Sequence, residues 1–144
     1  MDTRLDSILG KMASSLSAES IRINISASNL ANSQSIGGSE ESTYHARHAI
    51  YEEVKNRVVG LSDSDQPLGG VRVVDVVKGK KPLDWHYDPD NPLADKDGRV
   101  FTTDVDPIAE MTDMIASSKQ YQAGVDVMNT TKSLLLKTIH ALNN

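Results

Sequence analysis

From Pro107 to Leu142 the residues Met111, Met114, Ser118, Tyr121, Val125, Met128, Lys132, Leu135, Ile139 and Leu142 recur at steps of three and four, and eight of these ten are apolar or aromatic. A 3.5-residue period places them on one seam of a long helix. Pro107 suits the first helical turn, where its missing N–H would have no partner anyway. Asp106 is positioned to cap, and Glu110 and Asp113 set negative charge at the positive end of the helix dipole. At about 1.5 Å per residue the helix runs to roughly 50 Å. A seam of that length needs a long partner, which is either the other end of the chain or another subunit. Ser118 and Lys132 interrupt it, and Ile108, Ile115, Leu134 and Leu136 lie off it. The helix is therefore expected to pack on several sides.

The other end of the chain supplies a candidate. Over residues 3–32, Leu5, Ile8, Leu9, Met12, Ala13 and Leu16 recur at helical spacing, and Ile23, Ala27 and Leu30 carry the stripe onward. Ile21 and Ile25 begin a second stripe, and a helix with one covered face needs only one. Its interior is rich in Ser and Asn, which compete for backbone hydrogen bonds, so this helix is expected to be marginal alone and ordered mainly by its partners. The expected assembly interface is Leu5, Leu9, Met12, Leu16, Ile23 and Leu30 on the first helix. On the last helix it is Met111, Met114, Tyr121, Val125, Met128, Leu135, Ile139 and Leu142. Asn29 and Asn32 offer side-chain amides to the free backbone groups where the first helix stops. Gly37 and Gly38 then open a loop.

Charge separates these ends from the middle. Residues 1–39 and 107–144 hold six acids and six bases, so the whole net charge of -5 falls on residues 40–106. Five aromatics, Tyr44, Tyr51, Trp85, Tyr87 and Phe101, lie there too. The middle reads as short strands: His48–Tyr51 with Val54, then Arg57–Val59, a break at Gly60–Gln66, the β-branched run Gly70–Val77, the alternating Leu83–Tyr87, and Val100–Thr102. Trp85 and Tyr87 are the expected core anchors of this small β unit. The fold class is α+β, with the two terminal helices packed in a coiled-coil-like domain. Residues 1–36 form its first helix, 37–106 the β-rich middle and 107–144 its second helix.

Composition excludes several functions. No cysteine is present, so disulfides and cysteine chemistry are ruled out. The acidic balance argues against nucleic acid. No apolar run approaches the ~20 residues of a membrane span, and the N-terminus lacks the pattern of a cleaved secretion signal. Asp88–Gly98 resembles a calcium loop only in part. With Gly98 at the loop glycine, Leu93 falls where the first carboxylate must be and no closing glutamate follows, so turn chemistry explains the run. His45, His48, His86 and His140 lack the spacing of a zinc site. No serine stands in a GxSxG context, and no glycine loop matches a phosphate cradle. Glu52-Glu53 and Asp63/Asp65 read as solvated charge. No catalytic, metal or cofactor site is expected, and no small-molecule substrate.

The stretch Ser26-Ala27-Ser28-Asn29-Leu30-Ala31-Asn32 resembles the signature of the bacterial flagellar axial proteins, the rod, hook and hook-associated subunits. Tyr44–Arg47, Gly69–Val73, Pro92–Asp95 with Asp97-Gly98, Tyr121–Ala123 and Asn129–Thr138 follow in the same order, and together they resemble the proximal-rod members of that family. Two features depart from it. Gly124 stands where the family commonly has Asn, and the loop at 33–43 is not the Pro-Gly type of many axial proteins. The resemblance implies a structural, non-enzymatic subunit that self-assembles into a tubular rod transmitting motor torque. It implies export without a cleaved signal through the flagellar type III apparatus, and a place in the periplasmic basal body. Its partners would be copies of itself, other rod proteins, the basal-body membrane ring and the export apparatus. The residues alone also admit a small binding module with a helical-hairpin core.

Overall fold

The computed structural model describes residues 2–55 and 67–142. The side chains of Leu5 and Leu142, the strand expected at Arg57–Val59 and the break at Gly60–Gln66 lie outside the described residues. Two long helices, α1 (Asp2–Ala31) and α2 (Pro107–Leu142), flank five strands. These are β1 (Ile36–Gly37), β2 (Arg47–Lys55), β3 (Pro67–Lys78), β4 (Trp85–Tyr87) and β5 (Arg99–Thr102). The class is α+β, as expected, and both helices and the strands at 47–55, 67–78 and 99–102 fall on the segments read from the sequence.

The two helices run antiparallel. Asn29, near the end of α1, meets Glu110 at the start of α2, while Leu16 packs over Gly124 further along. Any side chain at position 124 would place its Cβ 2.8 Å from Leu16 Cδ2, so the glycine allows Leu16 to rest on the backbone of α2. Arg22 and Asp113 close an ion pair of 3.1 Å across the same seam. The opposite side of α1 is covered by the β2–β3 hairpin, where the Val71 N–H donates to Ser14 Oγ at 3.3 Å. The second stripe on α1 thus has a physical cause: this helix is packed on two sides.

The hairpin itself is antiparallel, with register irregularities at Ile50/Tyr51 and Val54/Lys55. A bulge adds local twist and bends the strand. The remaining strands form a separate sheet in the order β1-β5-β4. Its central strand β5 buries Val100 completely, and Leu83, Val105 and Ala46 are buried with it.

Trp85 and Tyr87 do not anchor this core, contrary to expectation. They are 55% and 70% exposed. The reason is position: β4 is an edge strand, with Tyr87 opposite Arg99 and Trp85 opposite Phe101 on β5. The Arg99 guanidinium sits 5.8 Å from the Trp85 ring centroid. Tyr87 lies against Gly98, whose φ of 72° holds the turn into β5. The smaller residues Val100 and Leu83 fill the space that these rings were expected to fill.

Candidate assembly site

The sequence motif at the end of α1 becomes a four-way join. Asn29 is 1% exposed. Its Nδ2 donates to the Arg47 carbonyl at 2.9 Å and to Glu110 Oε1 at 2.8 Å. Its Oδ1 accepts from the Arg47 N–H at 2.9 Å and from the Tyr44 hydroxyl at 2.9 Å. The amide orientation is fixed by this set, because flipping it would oppose donors to donors and acceptors to acceptors. One buried side chain therefore ties α1 to the first residue of β2 and to the first turn of α2. Asn32 behaves as expected at a helix end: its Nδ2 donates to the Ser28 carbonyl at 2.8 Å. Asn29 instead looks away from the helix end, towards the other two elements. Within the rest of the motif, Ser26 is buried, Ser28 and Leu30 are half-buried, and Ala27 and Ala31 are exposed. Ser28 Oγ lies 3.3 Å from the Tyr44 hydroxyl, and the Arg47 guanidinium covers the Tyr44 ring at 5.5 Å.

Three carboxylates build the other half of the join. Asp106 caps α2, with Oδ1 accepting from the Ile108 N–H at 2.9 Å and the Ala109 N–H at 3.2 Å. Glu110 takes Asn29, as above. Asp104 reaches back to the hairpin base, where its Oδ1 accepts from the Ala46 N–H at 2.7 Å. The Gly79 N–H donates to the Ala46 carbonyl at 2.7 Å, which closes that base. The loop at 33–43 adds a further tie. Ile36 and Gly37 pair with Thr102 and Phe101, and the Thr103 N–H donates to the Ser35 carbonyl at 3.3 Å. The chain leaving α1 is thus stitched to the chain entering α2.

Beside the join lies a groove of about 480 Å³ between α1, β2 and the start of α2, lined by Arg22, Ile25, Ala49, Tyr51, Ala109 and Asp113 among others. Burial against α1 pushes the Tyr51 phenol above its ordinary pKa; Arg22 opposes this, and Glu19 and Asp113 add to it. Among the described residues, no cluster of three or more His, Asp or Glu side chains is placed to hold a metal ion. In the Asp88–Gly98 loop, the Asp95 carboxylate is taken up by the Asp97 and Arg99 N–H groups at 2.8 Å each and by the Arg99 Nε at 3.0 Å.

The residues expected at the assembly interface divide into two groups. Leu9, Met12, Leu16, Ile23 and Leu30 on α1, and Met114, Val125, Met128 and Leu135 on α2, are half-buried within the one chain. Met111, Tyr121 and Ile139 are exposed. The line of contact on α2 also takes in Ser117, Gly124 and Thr131, each lying one residue before a seam position. These small residues permit the close approach that Leu16 uses. Sequence reasoning on periodicity missed them, along with Asp104, the Tyr44–Asn29 bond and the Arg47 backbone. Small residues at seven-residue spacing were the available signal for the first group. Asp104 carried none.

Known proteins match most of the chain. The family model described as Flagellar basal body rod FlgEFG protein C-terminal matches residues 96–140, which span β5 and nearly all of α2. The chain is similar to the flagellar basal-body rod protein FlgC of Yersinia enterocolitica, at 41% identity over 126 residues, 88% of this chain and 89% of the relative. It is 40% identical to FlgC of Escherichia coli O6:H1 over the same shares. It is 35% identical to FlgC of Aquifex aeolicus over 129 residues, 90% of each chain.

Proposed function

The chain belongs to the family of the flagellar basal-body rod protein FlgC, and from that membership we infer that it is a structural subunit of the bacterial basal-body rod. Its working chemistry is burial. Apolar side chains left in water by one chain are removed from it by neighbours, at about 25 cal/mol per Å². The observation that carries this reading is the state of α2, the longest element. On it Ile108, Met111, Ile115, Val127, Leu134, Leu136 and Ile139 are all 45% or more exposed. A soluble monomer rarely leaves so much apolar surface on one element without a partner for it. The rod reading supplies that partner as neighbouring subunits.

In the fuller reading, the paired helices line a tube in coiled-coil-like packing and the strands face outward. The subunit transmits torque by packing alone, without catalysis. It leaves the cytoplasm through the flagellar export apparatus without a cleaved signal. It takes its place in the proximal, periplasmic part of the rod, against copies of itself, other rod proteins and the basal-body membrane ring. No helix of the described residues is long and apolar enough to cross a membrane, which suits a subunit held by protein contacts.

The test is complementation. A strain lacking its own subunit of this family should regain motility when given this chain, and purified basal bodies should contain it within the rod. Val125→Asp should prevent incorporation. Basal bodies that assemble complete rods without the chain, or motility unaffected by its charged variant, would overturn the proposal.

A further inference from the structure

We propose that the open edge of β4 binds a short extended segment of another protein, one that carries Lys or Arg, by taking it into the sheet as a further strand. The Thr102 N–H donates to the Asp84 carbonyl at 2.8 Å, and the Asp88 N–H donates to the Gly98 carbonyl at 2.9 Å. With Trp85 opposite Phe101 and Tyr87 opposite Arg99, these bonds fix the alternation of the ladder. Asp84, His86 and Asp88 turn their backbone groups to β5, so Trp85 and Tyr87 turn theirs to the open side. β4 is the last strand of its sheet, and among the described residues it packs against no helix or strand except β5. Edges that are kept free of partners carry a lysine, a proline or a bulge. β4 carries none of these: it reads Trp-His-Tyr in regular register. Its two free N–H and two free C=O groups are what an added strand pairs with.

Side chains and charge select the occupant. Trp85 and Tyr87 are two residues apart, so they share one face of the strand, and both are exposed. Residues 84–98 hold five aspartates and one lysine. Asp95 and Asp97 pair with Arg99, whereas Asp84, Asp88 and Asp90 hold no ion pair among the described residues. The Arg99 guanidinium already lies over the Trp85 ring, and Tyr87 has no cation over its ring among the described residues. A Lys or Arg of the added strand set opposite Tyr87 therefore meets a free aromatic face with Asp88 and Asp90 next in the chain. Lys80 and Lys81 precede Pro82, on the Trp85 side, which leaves the Tyr87 end as the place for the cation. Three residues of strand give a short ladder, so binding is weak and charge-dependent. The site is on the β unit rather than on the helix surfaces whose burial carries the rod-subunit reading, and it goes beyond that reading.

Trp85 is the single tryptophan of the chain, so its emission reports on this edge. The full chain is titrated with three capped hexapeptides: alternating lysine and valine, the same with glutamate for lysine, and the lysine peptide with its backbone amides methylated. The lysine peptide should shift Trp85 emission to the blue with saturation at up to millimolar peptide. The glutamate and methylated peptides should bind at least tenfold more weakly, the first for want of charge and the second for want of donors. Tyr87→Ala removes the ring and should weaken the lysine peptide several-fold. Tyr87→Pro also removes an outward N–H, which β5 does not use, and should weaken it further while circular dichroism stays that of the wild type. No saturable shift with the lysine peptide overturns the proposal. So does equal binding of the glutamate peptide, which removes the charge argument, or of the methylated one, which removes the added strand. A shift that grows with protein concentration in the absence of peptide would give the edge to a second copy and overturn it as well. Each of these results leaves the rod-subunit reading to complementation.

Discussion

Replacing Asn29 by Asp tests the join at the point where it is most constrained. The two side chains have the same shape, so packing is conserved and only hydrogen-bond chemistry changes. Asp keeps an acceptor for the Arg47 N–H and the Tyr44 hydroxyl. It loses both donors and sets a carboxylate oxygen where Nδ2 now lies, 2.9 Å from the Arg47 carbonyl and 2.8 Å from Glu110 Oε1. Leaving a buried acceptor without its donor costs about 1–3 kcal/mol. The carboxylate pair adds like-charge repulsion at a site where Asn29 is 1% exposed, which raises the total to about 3–5 kcal/mol. Small domains have about 5–15 kcal/mol of stability in all. The assay is urea unfolding followed by helical circular dichroism, with a variant already unfolded in buffer counting as agreement. Glu110→Gln in the Asn29→Asp background supplies an amide donor to the new carboxylate, and should recover part of the loss in a double-mutant cycle. A loss below ~1 kcal/mol for Asn29→Asp, or no recovery from the second change, would refute the four-way join.

Two further expectations follow from the same structure. Ser117 is 1% exposed and its hydroxyl has no partner among the described residues; Ser117→Ala should therefore hold or raise stability by up to ~1 kcal/mol, whereas Ser117→Leu should lose about 1–3 kcal/mol by overpacking. Urea midpoints decide this one, and a clearly destabilised alanine variant contradicts it. Asp95 is held below the ordinary carboxylate pKa, first by the Arg99 N–H. A lowered folded-state pKa means the latch at 95–99 stabilises above the unfolded value and is lost as pH falls through the folded one. An NMR titration should show Asp95 protonating at lower pH than a free aspartate, with the Asp97 and Arg99 amides moving in step; titration at or above the ordinary value argues against the latch.

Much of this architecture is legible in the amino-acid order because it is local. Pro107 and Asp106 mark the start of α2 through chemistry confined to one turn, and the β-branched run at 70–77 makes a strand by its own preferences. The join is not local. Asn29 finds Arg47 18 residues away and Glu110 81 residues away, so the motif shows where the site is but not what it does. Periodicity located the helix and, in Met114, Val125, Met128 and Leu135, its half-buried side, but not the small residues along it. Ser117 and Gly124 are invisible to an apolar count, yet Ser117 is buried and Leu16 packs on Gly124. Trp85 and Tyr87 were misread for a related reason. Side-chain size suggests burial only when a second layer covers the strand, and β4 is an edge.

The join also fixes how the helices can move. It grips both at one end, and a second grip lies about 20 Å further along α1, where Leu16 rests on Gly124 and Ser14 takes the Val71 N–H. Two grips on one helix leave no hinge between them: a tilt at the join would have to lift Leu16 off the backbone of α2. Over that length a push on α2 passes to α1 and the hairpin through packed atoms rather than through a bend.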